Sequence, residues 1–170
     1  MRFFILFCGL ASLICSAQVF ASSDYMQNPK TVGQAKLEVM FWDIYEAELL
    51  APDGNFSPQQ PFALALTYLR EFDGENIASR SIDEMRKQGM KDEVKLAKWF
   101  EKMRQLFPDV EEGQTLTGIV DESRTSHFYF NNSKIGTIDD PEFTQWFFNI
   151  WLSEETSEPK MREKLLGLAQ

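Results

Sequence analysis

The sequence contains one histidine and two cysteines. A zinc centre usually takes about three or four such ligands, so this scarcity argues against one, and no metal or other cofactor is expected. Positive charge is also short. The 17 Lys and Arg face 26 Asp and Glu, for a formal net charge of −9. Nucleic-acid binders draw affinity from cations that displace counterions from phosphates, so no nucleic-acid partner is expected. No apolar run reaches the roughly 20 residues of a membrane span. A glycine-rich phosphate loop and a G-x-S-x-G nucleophile elbow are both missing. What is abundant is aromatic and apolar surface. Hydrophobic residues make up 44% of the chain, with 15 Phe, 4 Trp and 4 Tyr. Such a chain can fill a core rather than remain disordered.

The N-terminus reads as an export leader. Arg2 is followed by an apolar stretch from Phe3 to Cys15, about the length of a signal h-region. Val19-Phe20-Ala21 places small residues three and one before a cut, which favours cleavage after Ala21, with Ala17 as the alternative. Neither Cys8 nor Cys15 follows a small residue as a lipoprotein cysteine would, since Phe7 and Ile14 precede them. An uncleaved anchor is the competing reading. Removal of residues 1–21 takes both cysteines and Arg2, leaving 149 residues and a net charge of −10. Periplasmic localisation is expected, with no stable membrane anchor after cleavage. A chain of that length can sustain one core unaided.

Beyond the leader, residues 22–31 read as a polar lead-in to a domain over 32–170. Lys36 to Leu50 is read as two short strands with a bend or bulge near Asp43. Pro52-Asp53-Gly54 marks a turn. Phe62, Leu64, Leu66 and Tyr68 alternate with Ala63, Ala65 and Thr67, the period of a strand with one bulky face. Asp73-Gly74 opens a helix using Ala78, Ile82 and Met85, with Gly89 as its stop. A second helix runs from about Asp92 to Phe107, ended by Pro108, with Leu96, Trp99, Phe100, Met103, Leu106 and Phe107 as its apolar stripe. Leu116–Val120 and Thr125–Phe130 read as strands. Asn131-Asn132-Ser133 reads as a tight turn into Lys134–Ile138. Asp140-Pro141 caps a helix with Phe143, Trp146, Phe147 and Ile150 on one face. The last helix starts at Ser157-Glu158-Pro159 and uses Met161, Leu165 and Leu168. Strands, helices, strands, helices in that order indicate an α+β domain, one antiparallel sheet with helices on one face.

Chemistry-bearing patterns are few. His127 could be a base or a ligand, but without a second His or a Cys the reading of an ordinary strand residue is favoured. The acidic pairs Glu111-Glu112, Asp121-Glu122 and Glu154-Glu155 are adjacent in sequence and read as solvated loops. The 96–107 stripe reads as core, with a lipid-lined cavity as the sharper alternative.

Several segments in order resemble the chalcone isomerase-like family, in particular its short bacterial exported members. They are Val32-Gly33-Gln34-Ala35-Lys36-Leu37 leading into Phe41-Trp42-Asp43-Ile44-Tyr45, then Leu66-Thr67-Tyr68-Leu69-Arg70, Ile82-Asp83-Glu84-Met85, Phe107-Pro108-Asp109-Val110-Glu111, Asp140-Pro141-Glu142-Phe143 and Phe148-Asn149-Ile150-Trp151-Leu152. The resemblance spans nearly the whole chain beyond the leader. It implies an open-faced β-sandwich, a large antiparallel sheet under a layer of helices. It also implies two possible roles: ring closure of a chalcone, or non-catalytic fatty-acid binding in which an Arg and a Tyr hold the carboxylate.

Carried onto this chain, the family's strand Thr falls on Tyr45, the residue type of the fatty-acid-binding branch. The C-terminal Thr falls on Ile150, the Asn near Arg80, the Tyr near Asp73, and the Arg around Lys36 to Glu38. The catalytic pattern is thus unmatched and no catalytic residue is assigned. The expected role is binding of a small apolar ligand such as a fatty acid, with Tyr45, Lys36 and Arg80 as candidate ligand contacts. An isomerase or intramolecular lyase of unknown substrate and a ligand-free interaction module are the alternatives.

Overall fold

The computed structural model describes residues 22–168. The leader expected over residues 1–21 lies outside them. Six strands, β1 (Pro29–Val39), β2 (Trp42–Pro52), β3 (Phe62–Tyr68), β4 (Thr115–Val120), β5 (Ser126–Phe130) and β6 (Ser133–Ile138), form one sheet in sequential order. Every neighbouring pair is antiparallel. Between β3 and β4 run α1 (Gly74–Lys87) and α2 (Glu93–Leu106); after β6 come α3 (Pro141–Leu152) and α4 (Pro159–Leu165). The architecture is the α+β arrangement read from the sequence.

The local chemistry of the elements is ordinary. Asp92 accepts hydrogen bonds from the backbone N–H groups of Val94 and Lys95, and Asp140 from that of Phe143, which supplies partners for otherwise unpaired N-terminal amides. Pro141 and Pro159 sit in first turns, where no backbone N–H is needed. The β5–β6 turn holds Asn131 and Asn132 at φ of 50° and 91°, the left-handed region Asn tolerates. Gly33 is required by close packing. A Cβ there would stand 2.1 Å from the Lys164 carbonyl oxygen, so α4 can lie directly on β1.

The main core lies between the sheet's inner face and the helices. Leu49, Phe62, Leu64, Phe128 and Val120 face Met85, Leu96, Trp99, Met103, Phe143 and Leu165, all buried. The 96–107 stripe is part of it: Leu96, Trp99 and Met103 are essentially inaccessible. The indole N–H of Trp99 donates to the Asp140 carboxylate at 3.0 Å, so this buried polar group is satisfied.

Three details differ from the sequence reading. The polar lead-in is part of the folded domain: Met26 packs with Leu50, Ala63 and Ile119 on the sheet's outer face, and β1 already begins at Pro29. Small side chains on β3 leave room for this cover. The two strands expected between Lys36 and Leu50 are longer and turn at Met40–Phe41, with Val39 paired to Trp42. The bulge expected near Asp43 is there: Leu37 pairs with Tyr45 and Glu38 with Asp43, so Ile44 is the extra residue. Leu168 does not join the core. It is 61% exposed because α4 ends at Leu165 and the chain turns away at Gly167, with φ of 66°.

His127 lies on the outer face of the sheet. Its Nε2 lies 2.8 Å from the Asp121 carboxylate, and its ring stacks on Tyr25 at 4.4 Å on the sheet's outer face. Asp121 in turn accepts the backbone N–H groups of Ser123 and Thr125, which organises the β4–β5 turn.

Candidate functional site

Where the inner face is not filled, a cavity of about 420 Å³ remains. That is within the usual range of small-molecule sites, roughly 300–1,000 Å³. Its floor is the sheet: Leu37 and Val39 of β1, Ile44 and Tyr45 of β2, Leu66 and Tyr68 of β3 and Leu116 of β4. Its walls come from α1, from α3 and from the loop and helix after α3, through Ile77, Phe147, Ile150, Trp151 and Met161 among others.

Strand geometry explains the floor. On β2 and β3 alternate residues point inward, which puts Tyr45 and Tyr68 on the helix side, directly opposite each other in register. Their rings meet edge to face with centroids 5.9 Å apart. The bulge at Ile44 breaks the alternation, so the consecutive Ile44 and Tyr45 both reach the cavity.

The polar groups come from the sheet floor, through Tyr45 and Tyr68, and from the wall, through Arg80, Glu84 and Ser157 among others. The indole N–H of Trp151 donates to the Tyr45 hydroxyl oxygen at 2.9 Å. Tyr68, a cavity-lining residue, makes no side-chain hydrogen bond to another described residue, and its hydroxyl is not among the fully buried unpartnered atoms. Burial pushes the Tyr45 hydroxyl up to about 12, against a weaker lowering influence of the Trp151 hydrogen bond. Burial also pushes Tyr68 up strongly. Both are neutral hydroxyls at physiological pH.

Glu84 of α1 brings a carboxylate to the cavity wall. Its side chain is 7% exposed and accepts from Arg80 at 2.7 Å, Lys87 at 2.9 Å and Ser157 at 2.7 Å. Burial disfavours its charge, but the hydrogen bonds from Ser157 and Lys87 and the nearby Arg80 outweigh this and hold it below its ordinary value of 4.5. Ser157 thereby ties the loop after α3 to α1. Among the described residues, no group of three or more His, Cys, Asp or Glu is placed to hold a metal ion.

The profile of the chalcone isomerase-like family matches residues 33–167. This chain belongs to that family. A protein of Haemophilus influenzae (strain KW20 / Rd) described only as an uncharacterized protein is 24% identical over 159 residues, covering 93% of this chain and 78% of its own length. The crystal structure of an Arabidopsis thaliana fatty-acid binding protein, AtFAP1, shares the fold at a TM-score of 0.62 and 9% identity, over 82% of this chain and 87% of that one.

Of the three candidate contacts in this chalcone isomerase-like domain, Tyr45 and Arg80 border the cavity and Lys36 does not. Lys36 follows Ala35 and precedes Leu37, so strand alternation turns it to the opposite face, where it pairs with Asp43 at 3.0 Å. Ile150 is also a wall residue, whereas Asp73 sits at the start of α1 and bonds Asn76. None of the 96–107 stripe lines the cavity, which lies against α1 and α3 instead, so the sharper alternative read for that stripe is not met there. Sequence reasoning missed Tyr68, Glu84 and Trp151. A pattern signal existed for Tyr68, since it ends the alternating run of β3. Glu84 looked like any surface carboxylate of an amphipathic helix until Ser157 closed over it.

Proposed function

We propose that this chalcone isomerase-like domain is exported and binds a small, largely apolar ligand of the acyl-chain class, a fatty acid being the first probe, without transforming it. The observation that carries this reading is the cavity between sheet and helices, lined mostly by apolar side chains with a few hydroxyl and charged groups among them. Such a lining suits a molecule with a long apolar part and one polar end. The Arabidopsis neighbour is a fatty-acid binding protein, which is in keeping with it. The unmatched catalytic positions, Ile150 in particular, favour binding over ring closure. Export rests on the architecture of residues 1–21.

Native mass spectrometry of the protein from a periplasmic extract tests both parts. The expected mass begins at Ser22 and includes a co-purified apolar molecule, and displacement titration with fatty acids measures affinity. A protein retaining Met1 in the membrane fraction defeats the export reading. Absence of binding by any acyl compound defeats the ligand reading and leaves an interaction module.

A further inference from the structure

The charges and the hydroxyls of this cavity are not equivalent in what they can offer a ligand. Arg80, Glu84 and Glu158 are the charged residues lining it. Arg80 already faces Glu84 at 2.7 Å, and Lys87, just outside, faces the same carboxylate oxygen at 2.9 Å. The other oxygen of Glu84 takes the Ser157 hydroxyl. The positive charge is therefore engaged before any ligand arrives, and Glu158 adds an anion beside it. With Lys87 counted, the two cations and two anions here cancel, so an ionised carboxylate entering meets no uncompensated positive charge. Burial of a charge without a free partner is costly.

The tyrosines have the opposite character. An indole N–H can only donate, so the Tyr45 oxygen is the acceptor in its bond to Trp151 and the Tyr45 proton is left over. No acceptor for that proton exists among the described residues. Tyr68, directly across the strand pair, also lines the cavity and its hydroxyl bonds no described residue. Two neutral O–H donors thus belong to neighbouring rings on an apolar floor. Each has a proton to offer, and an oxygen acceptor supplied by the ligand would take it.

We propose that the polar end recognised here is an uncharged carbonyl or hydroxyl oxygen, held by the Tyr45 and Tyr68 hydroxyls, and that the cavity discriminates against ionised carboxylates. This rests on the ligand-binding reading above and narrows it to neutral acyl derivatives, such as ketones, esters, amides or alcohols, and to fatty acids only in their protonated form.

The test is displacement of the neutral dye Nile red from the purified protein at pH 8 by two competitors with the same nonyl chain, 2-undecanone and decanoate. The expected result is at least tenfold tighter binding of the ketone. Tyr68→Phe should weaken the ketone several-fold, leave decanoate unchanged and leave the melting temperature unchanged, since that hydroxyl bonds nothing in the free protein. Glu84→Gln, which releases Arg80, should improve decanoate several-fold while sparing the ketone. Decanoate binding as tightly as the ketone at pH 8, or a ketone affinity indifferent to Tyr68→Phe, overturns the head-group assignment and leaves the acyl-binding reading standing. Displacement by neither competitor, with the dye or without a dye signal at all, overturns both.

Discussion

The inner face of the sheet has a filled region around Phe128 and an open region around Tyr68, built from similar aromatic residues. In the filled region, Phe128 meets Phe107, Phe143 and Phe147 at centroid distances of 5.2, 6.4 and 5.5 Å, and Phe143 also meets Trp99 at 5.9 Å. Rings from β5, α2 and α3 close on one another, and little space is left. In the open region, Tyr45 and Tyr68 meet each other edge to face, but the helices opposite them offer Ile77, Ile150 and Trp151 at a distance that leaves 420 Å³. The difference teaches that apolar surface alone does not close a core. Closure needs a helix that packs flat on the sheet. At the open end the Glu84–Ser157 hydrogen bond ties α1 to the loop after α3, and the Ile44 bulge and two tyrosines form the floor beneath the gap.

The sharpest contrast comes from removing one ring on the filled side. Phe143→Ala should cost about 3–5 kcal/mol of stability, because a fully buried ring among three others leaves a cavity its neighbours cannot fill. Urea denaturation would read the loss. A cost below about 1 kcal/mol would mean that this region is as loosely packed as the other.

Adding volume should divide the two regions again. At Gly118 a new Cβ would stand 2.8 Å from the Phe148 ring, so Gly118→Ala is expected to cost about 1–3 kcal/mol. Ile150→Phe, which grows into the cavity, should cost less in stability but weaken ligand binding by about tenfold, or roughly 1.4 kcal/mol. Paired melts and displacement titrations of the two variants check this. Equal destabilisation by both would deny that the space is available.

Single hydroxyls give smaller effects. Tyr45→Phe removes the acceptor of the Trp151 indole, so it should lower both stability and affinity by about 0.5–1.5 kcal/mol, the net worth of one hydrogen bond. Unchanged affinity with a lower melting temperature would make Tyr45 a purely structural residue.

The last expectation concerns pH and carries the least energy. The Glu84 carboxyl titrates below 4.5 in the folded protein, so its stabilising contribution is present above that value and is lost as pH falls through the lower, folded value. The stability difference between wild type and Glu84→Gln should therefore be constant from pH 7 to pH 5 and shrink below about 4.5, the ordinary value. A difference that persists to pH 3 would place the link between α1 and the loop after α3 on something other than this charge.

The division between sequence and tertiary structure follows the range of the interactions. Alternation along β3, the stripes of α1 and α2, the Asp caps and the Asn131-Asn132 turn are set by neighbours a few residues apart, so they are legible in the chain itself, and with them the α+β order of elements. The ordered packing of Met26 was not legible, because it depends on small residues from β3 some forty positions later. The site divides the same way. Tyr45 and Arg80 were found through their place in family-like segments, but strand parity, read only once the Met40–Phe41 turn is known, excludes Lys36. The pairing of Tyr45 with Tyr68, the indole donated from Trp151 across 106 residues and the Ser157 hydroxyl on Glu84 across 73 are decided by the tertiary fold alone. A side chain's type determines what bonds it can make, but only the packed chain determines which of those bonds are already taken and which remain for a ligand.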